Sequence, residues 1–426
     1  MTLSALMDDL DGFFDAGDLD VRRVTLGVSL LDCASQLRAT VAARAYDKVR
    51  RTAGTFRRAV DDVAAYYGFG CEENSVAVTP ISVVADSLPV HDLTAVARAL
   101  DAAAVEADVA TVRGFATIGS VEGRGGCRSL AEAIPGVVAS TKRVFASIDC
   151  GTEPNIDLAS IRAYARVVKT ISELSVATAD YFLRVQCGPS GWDTCLYHPI
   201  EGPEASISVE ISCARQVVEL LKDAPEGPTM SERERNDLVH SVRLIALRRA
   251  RAAQFIRDRI VESMAGHSGT TASPGAARVS SALTGMPSER SDDARTRRQL
   301  LAQPHLRSLA DAVTDAIWRA NLTAGDSIPG PASRSSRADG QRCASCFSDF
   351  GSPIVVPREA SADEIVMEVL ERLAARPDQS QAPVSVLCVD AAPDEQVELP
   401  GFGDVHVSSG TPQNRGATYL FAQTAG

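Results

Sequence analysis

An α/β domain with parallel strands, either closed as a barrel or open as a doubly wound sheet, is what this sequence predicts. Three observations carry the prediction. Short runs rich in Val, Ile, Thr and Phe recur through the first two-thirds of the chain, and segments of helical period separate them. Strands that alternate with helices need crossover connections, which make the strands parallel. A length of 426 residues, 45% of them hydrophobic, suffices for one large core of this kind or for two ordinary ones.

The elements follow in order. VRRVTLGVSLLDC (Val21–Cys33) opens the series, with the strand itself expected over Arg22–Leu31. Further strands are expected at Ser75–Val84, Thr111–Ile118, Arg143–Asp149, Phe182–Cys187 and Ser206–Ser212. Helical spacing of apolar residues runs through Gln36–Tyr67, Leu93–Val105 and Ile156–Ala179. Capping-box spacings, in which a hydroxyl and a carboxylate satisfy each other's orphan backbone N–H groups, occur at Ser129 with Glu132, Ser231 with Glu234 and Ser361 with Glu364.

A long helix over Met230–Met264 places Leu238, Val242, Ile245, Phe255, Ile256 and Ile260 on one side. Arg243, Arg248, Arg249, Arg251, Arg257 and Arg259 are expected on the other, as a solvated face in preference to a contact for an anionic partner. Ala265–Asp293 and Thr323–Gln341 read as loose inserts around a short helix at Leu306–Ala320. Pro353–Val356, Ser361–Ala375 and Val384–Val389 restore a strand, a helix and a strand. The domain reading is therefore 1–264 for the main α/β part, 265–341 for an insert, and 342–426 for the elements that complete the barrel.

Composition excludes several classes. A formal net charge of −12 repels a polyphosphate chain, so nucleic acid is not expected as a partner. No apolar run reaches the ~18 residues that a membrane span requires. The acidic start MTLSALMDDLDGFFDAGDLD is the reverse of a secretory leader, so a cytoplasmic setting with reduced cysteines is expected. Walker loops, G-x-G-x-x-G, G-x-S-x-G and H-E-x-x-H are absent from the sequence.

Several collinear blocks carry a family resemblance. They are VTLGVSLLDC (Val24–Cys33), VAVTPISVV (Val76–Val84), ALDAAAVEADVATVRGFATI (Ala99–Ile118), RVFASIDCGTEPNIDLASIRAYARVVKTISEL (Arg143–Leu174) and CASCFSDFGSPIVVPREASADEIVMEVLERLA (Cys343–Ala374). Their order and spacing resemble the domain of unknown function 711 family, a pyruvate-formate-lyase-like family of bacteria and archaea. The resemblance covers roughly residues 19–222 and 340–410, and marks this chain as a divergent, shortened member. It implies an α/β barrel similar to that of glycyl-radical enzymes, with helices outside and any site facing the barrel interior; the flexible inserts come from composition alone.

It does not imply glycyl-radical chemistry, since NRGATY (Asn414–Tyr419) is a poor match to the radical loop. QCGPSGWDTCLYHPIEG (Gln186–Gly202) replaces a longer Asn-Ala-Pro-rich family loop ending in histidine. His198 and Pro189 match that loop, but Cys187 stands where the family has asparagine. Gly151-Thr152-Glu153 replaces the family's Ala-Ser-Thr-Lys turn, exchanging a lysine for a carboxylate.

His198 is the first candidate for chemistry, because an imidazole past a strand end can exchange a proton near neutral pH. Asp149 and Cys150 end the fourth strand and could serve as base and nucleophile if the thiolate is stabilised against the negative charges around it; the favoured alternative is a structural turn in which Asn155 or Asp157 caps the following helix. Asp32, Cys33, Thr79, Arg113, Glu153, Cys187 and Glu201 are the expected substrate-binding residues around them. Pro80 removes a ladder donor, so the second strand must kink there or lie where that donor is not needed; such a break can aim Thr79 into a pocket or equally just shape the barrel.

Cys343 and Cys346 form a single C-x-x-C without a partnering pair, so no metal site is assigned and the cofactor stays open. Gly123-Arg124-Gly125-Gly126 offers only a weak phosphate cradle. The expected function is that of a non-radical enzyme acting on a small polar ligand, carboxylate or amino-acid-like, with lyase or transferase chemistry suggested by fold analogy alone. The alternative is a catalytically degenerate barrel that binds or scaffolds, and self-association into a homo-oligomer is left open.

Overall fold

The computed structural model describes residues 19–123, 125–152, 155–174, 183–186, 197–213, 216–217, 219–220, 230–268, 271–280, 354–374, 386–399 and 403–408. Strand β1 (Asp20–Val28) leads through a 3-10 turn at Leu31–Cys33 into helix α1 (Arg38–Tyr67). Then follow β2 (Gly70–Val78), the single turn α2 (Ile81–Val84), α3 (Val90–Glu106), β3 (Thr111–Ala116), α4 (Gly125–Ser140) and β4 (Val144–Asp149). A small ribbon of β5 (Gly151–Thr152) and β6 (Asn155–Ile156) precedes α5 (Leu158–Glu173). The main part continues with β7 (Leu183–Gln186), β8 (Ala205–Ser212), α6 (Glu232–Ser268) and β9 (Ser273–Ser280).

Seven strands form one sheet in the order β7-β4-β3-β2-β1-β8-β9. The β1–β2, β2–β3, β3–β4 and β4–β7 pairs are parallel. β8 runs antiparallel to β1, and β9 runs parallel to β8. The alternating strand and helix pattern thus yields the expected mixed α/β fold on a mostly parallel sheet.

The two faces of this sheet differ sharply in chemistry. Val24, Leu26, Val28, Val76, Val78, Ala146, Ile148, Ile207 and Val209 point into the main core, where α1, α3, α4, α5 and α6 cover them. The opposite face presents Arg23, Thr25, Ser75, Arg113, Ser147, Asp149, Ser206 and Ser208, all of them buried as well. Buried polar groups are as a rule hydrogen-bonded, and several of these bond to charged or hydroxyl groups beside them. Glu73 accepts from Arg23 Nε at 3.0 Å, Arg113 Nη2 at 3.1 Å and Thr111 Oγ1 at 2.7 Å. Arg23 Nη1 also lies 3.5 Å from Glu210, and the Thr25 and Ser75 hydroxyls meet at 2.8 Å.

Several expectations need correction. The second strand stops at Val78 rather than kinking at Pro80, and residues 81–84 turn into a helix because proline supplies no ladder N–H. Helix α4 begins at Gly125, so Ser129 lies inside it and does not cap it. The other two capping boxes form: Ser231 N donates to Glu234 at 2.7 Å, and Ser361 N to Glu364 at 2.6 Å. Part of the stretch read as a loose insert, Ser273–Ser280, is the edge strand β9, whose pairing with β8 outweighs its small-residue composition. The inserts beyond residue 280 and the helix expected at Leu306–Ala320 lie outside the described residues.

The arginines of α6 do not form one solvated face. Arg249 and Arg257 are buried, and Arg257 Nη1 donates to the Gly275 carbonyl at 2.7 Å. Arg243, Arg248 and Arg251 are exposed.

A last group contains β10 (Ile354–Pro357), α7 (Ala362–Ala374), β11 (Val386–Val389) and the hairpin β12 (Gln396–Leu399) with β13 (Gly403–His406). Among the described residues β10 pairs in parallel with β11 and not with the seven-stranded sheet. This group is fastened to α5. Val386 N donates to the Tyr164 hydroxyl at 3.0 Å, Lys169 Nζ to the Arg358 carbonyl at 2.6 Å, and Arg358 Nη1 to the Ser172 carbonyl at 2.7 Å.

Candidate functional site

The carboxyl ends of β1 and β2 and the start of β8 build the candidate site. Leu30 N donates to Thr79 Oγ1 at 2.9 Å, and Thr79 N to the Val28 carbonyl at 3.2 Å, so Thr79 stitches the two strand ends together. Its hydroxyl, fully buried, holds the scaffold rather than standing open to a ligand. Ser29 N donates to the Glu204 carbonyl at 2.9 Å, which fixes the entry of β8 beside β1.

His198 lies over this junction. Its backbone N donates to the Val78 carbonyl at 2.9 Å, and its ring Nε2 is 2.7 Å from the Pro203 carbonyl. A carbonyl only accepts, so the neutral ring carries its proton on Nε2 and leaves a lone pair on Nδ1. That Nδ1 is buried and has no hydrogen-bond partner among the described residues. Burial lowers the histidine pKa, with the Lys48 charge acting in the same direction; the Pro203 bond and Glu204 pull it back only partly.

Two glycines give the ring its place. A Cβ on Gly27 would stand 2.4 Å from His198 Nδ1 and 2.4 Å from Ser206 Oγ, and one on Gly202 would stand 2.9 Å from Nε2. Gly27 sits inside an otherwise branched strand, where a lone glycine marks a close approach of other atoms. That signal stands in VTLGV and was there to be read.

The rim is an ion triad. Lys48 reaches from α1 to Asp32 Oδ1 at 2.6 Å and also pairs with Glu204. Burial works against the Lys48 charge, but the two carboxylates outweigh it and raise its pKa. Asp32 is lowered in turn, Lys48 overcoming its burial. Cys33 is buried next to Asp32, and burial followed by that negative charge pushes its thiol to about 11. It is thus protonated near neutral pH and forms wall rather than nucleophile.

Asp149 and Cys150 sit elsewhere along the same edge. Asp149 accepts from Gly119 N at 3.0 Å and Gly151 N at 2.9 Å, while its own N donates to Thr117 Oγ1 at 2.9 Å. Burial raises its pKa, partly offset by those two N–H groups. β3 lies between β2 and β4, which separates them by about 10 Å at ordinary strand spacing. No hydrogen bond joins His198 to Asp149 among the described residues. Cys150 is fully buried and disulfide-bonded, so the free thiol expected there is absent, and the expectation of uniformly reduced cysteines fails at this residue.

The other expected residues divide as follows. Arg113 belongs to the Glu73 network in mid-sheet, with its guanidinium 5.3 Å from the Phe145 ring centroid, and is not at the mouth. Gly114 next to it has φ 114°, and a Cβ there would meet the Val78 carbonyl at 2.4 Å, so the β3 bulge requires glycine. Glu201 is exposed on the turn that carries His198. Glu153, Cys187, Cys343 and Cys346 lie outside the described residues.

At the start of α4, Asp86 Oδ1 comes within 2.2 Å of where a Gly126 Cβ would be. A carboxylate thus already faces the amide end at which a phosphate was considered. Among the described residues no cluster of His, Cys, Asp and Glu is arranged to hold a metal, and no helix is long and apolar enough to cross a membrane. Lys48, Glu204 and Ser206 were missed from sequence, since only tertiary contact brings them to His198.

A family model described as "Uncharacterised ACR (DUF711)" matches residues 13–273. Similar proteins include a UPF0210 protein of Desulforamulus reducens, 34% identical over 157 residues, 37% of this chain and 35% of that protein. Another, from Desulforudis audaxviator, is 29% identical over 229 residues and half of each chain. A third, from Halothermothrix orenii, is 31% identical over 212 residues, 48% of this chain and 47% of that one. The matched regions thus span about a third to a half of the length of these relatives. With the family model covering more than half of its residues, this chain belongs to the DUF711 family of uncharacterised proteins.

Proposed function

We propose that this chain is a non-radical enzyme acting on a small polar metabolite, with a carboxylate or amino-acid-like ligand, at the mouth of a barrel of the pyruvate-formate-lyase-like type. The barrel reading is supported by a sheet face that is polar and yet buried, and by the reversal of direction at β8. An open sheet with water on that face would leave those residues exposed.

The single observation that carries the catalytic reading is the state of His198. It is buried and neutral, its Nε2 proton is pinned to the Pro203 carbonyl, and its Nδ1 lone pair has no partner among the described residues. An imidazole held in one tautomer with one basic nitrogen open is suited to taking a proton from a ligand and returning it. Asp32, Cys33 and Glu201 would shape the surroundings, and the Lys48 triad would set the field at the rim. Asp149, with both oxygens on backbone N–H groups, would position the β3 and β4 ends.

The test is a metabolite panel read by thermal shift and by mass analysis of the incubated mixture, comparing wild type with His198→Gln. The expected result is a small polar acid that stabilises the wild type, is altered by it, and does neither with the variant. A ligand that stabilises both proteins equally removes His198 from the site. The second reading is a degenerate barrel that binds or scaffolds. The disulfide at Cys150 and the protonated Cys33 favour it, and a His198-dependent ligand recovered unaltered would support it.

A further inference from the structure

We propose that the exposed arginine lane of α6 is a docking surface, and that its occupant is the acidic segment formed by residues 1–18 of this same chain. The proposal is independent of the reading of His198. Between Asp237 and Asp258 the helix carries no acidic residue, in a chain that holds 55 Asp and Glu. Arg243, Arg248 and Arg251 therefore have no carboxylate three or four positions away, where a helix would pair them. Further along, Arg257 and Arg259 pair with Asp258 and Glu262, whereas the three exposed arginines have no ion pair among the described residues. With about 3.6 residues per turn, Leu244 and Leu247 fall on the same side as these arginines. Leu244 is 46% exposed and Leu247 half-buried. A face built only for solvation would interleave both signs of charge and keep leucine inside.

The segment before β1 has the complementary chemistry. Residues 1–18 include Asp8, Asp9, Asp11, Asp15 and Asp18 and no Lys or Arg. Leu3, Leu6, Met7, Leu10, Phe13 and Phe14 recur at helical spacing, and Asp8, Asp11, Asp15 and Asp18 border that stripe along one side. Apolar residues edged by carboxylates match leucines edged by guanidiniums. A polyphosphate chain would match only the charge, and the net charge of −12 repels it.

The point of attachment suits the contact. Leu19 and Val21 are buried and fix the start of β1, where Val21 lies opposite Ile211 near the end of β8. Helix α6 packs on β8. Cys213 directly follows β8, and beyond its burial the charges that act on its thiol are those of Arg249 and Asp20. The segment thus enters the fold beside the middle of α6. The lane from Arg243 to Arg251 rises about 12 Å, well within the reach of a tether whose upper limit is about 55 Å. Such a short tether supplies an effective concentration on the order of millimolar, so weak, salt-screened pairs suffice for a releasable cover.

The experiment is hydrogen exchange of the full chain, with a photo-cross-linking amino acid at position 244 in a second preparation. Amides in residues 2–18 should be protected at low salt. Protection should fall about tenfold in Arg243→Glu/Arg248→Glu/Arg251→Glu, and likewise in wild type at about 0.5 M salt. Adding Asp8→Lys/Asp11→Lys/Asp15→Lys to the arginine variant should restore it, which a general loss of folding would not allow. Cross-links from position 244 should map to residues 1–18 within one chain. A segment that exchanges freely in wild type, protection unmoved by the reversal or by salt, or a charge swap that restores nothing overturns the proposal. Cross-links only between two chains overturn it too, since the occupant is then a second copy.

Discussion

Gly27 lies directly beneath His198. A side chain at 27 would begin 2.4 Å from the imidazole Nδ1, so the bare β1 backbone is the floor on which the ring rests. Gly27→Ala should therefore cost about 1–3 kcal/mol through overpacking. In a His198→Ala background most of that cost should vanish, because the clashing ring is gone. Urea denaturation of the four proteins in this cycle measures the coupling, and equal costs in both backgrounds would show that the ring does not rest there.

The protonation of His198 should be visible in stability. Its folded pKa lies below the ordinary 6.5, so the unfolded chain takes up the proton first as pH falls. The stabilisation from the neutral ring is complete above pH 6.5 and is lost as pH drops through the lower folded value. Melting temperature followed downward from pH 7.5 should fall with a component that His198→Gln lacks.

Glu73 is the hinge of the buried charge network on the polar sheet face. Burial by itself would raise its carboxyl, but the Arg23 and Arg113 guanidiniums and the Thr111 bond bring it down to about 2. The sign is that of a depressed acid: its contribution is present above the ordinary value of 4.5 and is lost as pH falls toward 2. Glu73→Gln leaves two buried arginines short of a counter-charge and should cost about 3–5 kcal/mol. A variant as stable as wild type in guanidinium titration would mean that Glu210 alone balances both.

Asp149 holds two loops at once through the Gly119 and Gly151 N–H groups. Asn at this position offers one acceptor and turns an amide donor toward the other N–H. Asp149→Asn should lose about 1–3 kcal/mol. Amide exchange should quicken at Gly119 or Gly151 while distant strands stay protected. Unchanged exchange at both glycines would remove Asp149 from its positioning role.

The fold was largely legible because period is a local property. Val24, Leu26 and Val28 alternate against Arg23, Thr25 and Gly27, which marks a strand with two different faces before any partner is known. The boxes at Ser231 and Ser361 were legible for the same reason, since donor and acceptor lie three residues apart. β9 was not, because its small residues carry no strand signal and only pairing with β8 makes it one. The end of β2 was misjudged where Val76–Val84 reads as one branched run, although Pro80 divides it.

The site was legible only in part. His198, Asp32 and Cys33 come from the sequence as titratable groups past strand ends, and the structure puts them around the β1 and β2 mouth. Asp149 looked equivalent, yet the strand order places β3 between its strand and β2. By itself the sequence determined most of the strand and helix identities, and the family. Tertiary structure alone decided that Lys48 and Glu204 would meet, that β8 would reverse beside β1, and that Ser206 would face His198 across Gly27. The physical reason is range. Period and capping act over a few residues, whereas strand order and register bring together groups more than a hundred residues apart, and nothing in a single segment records them.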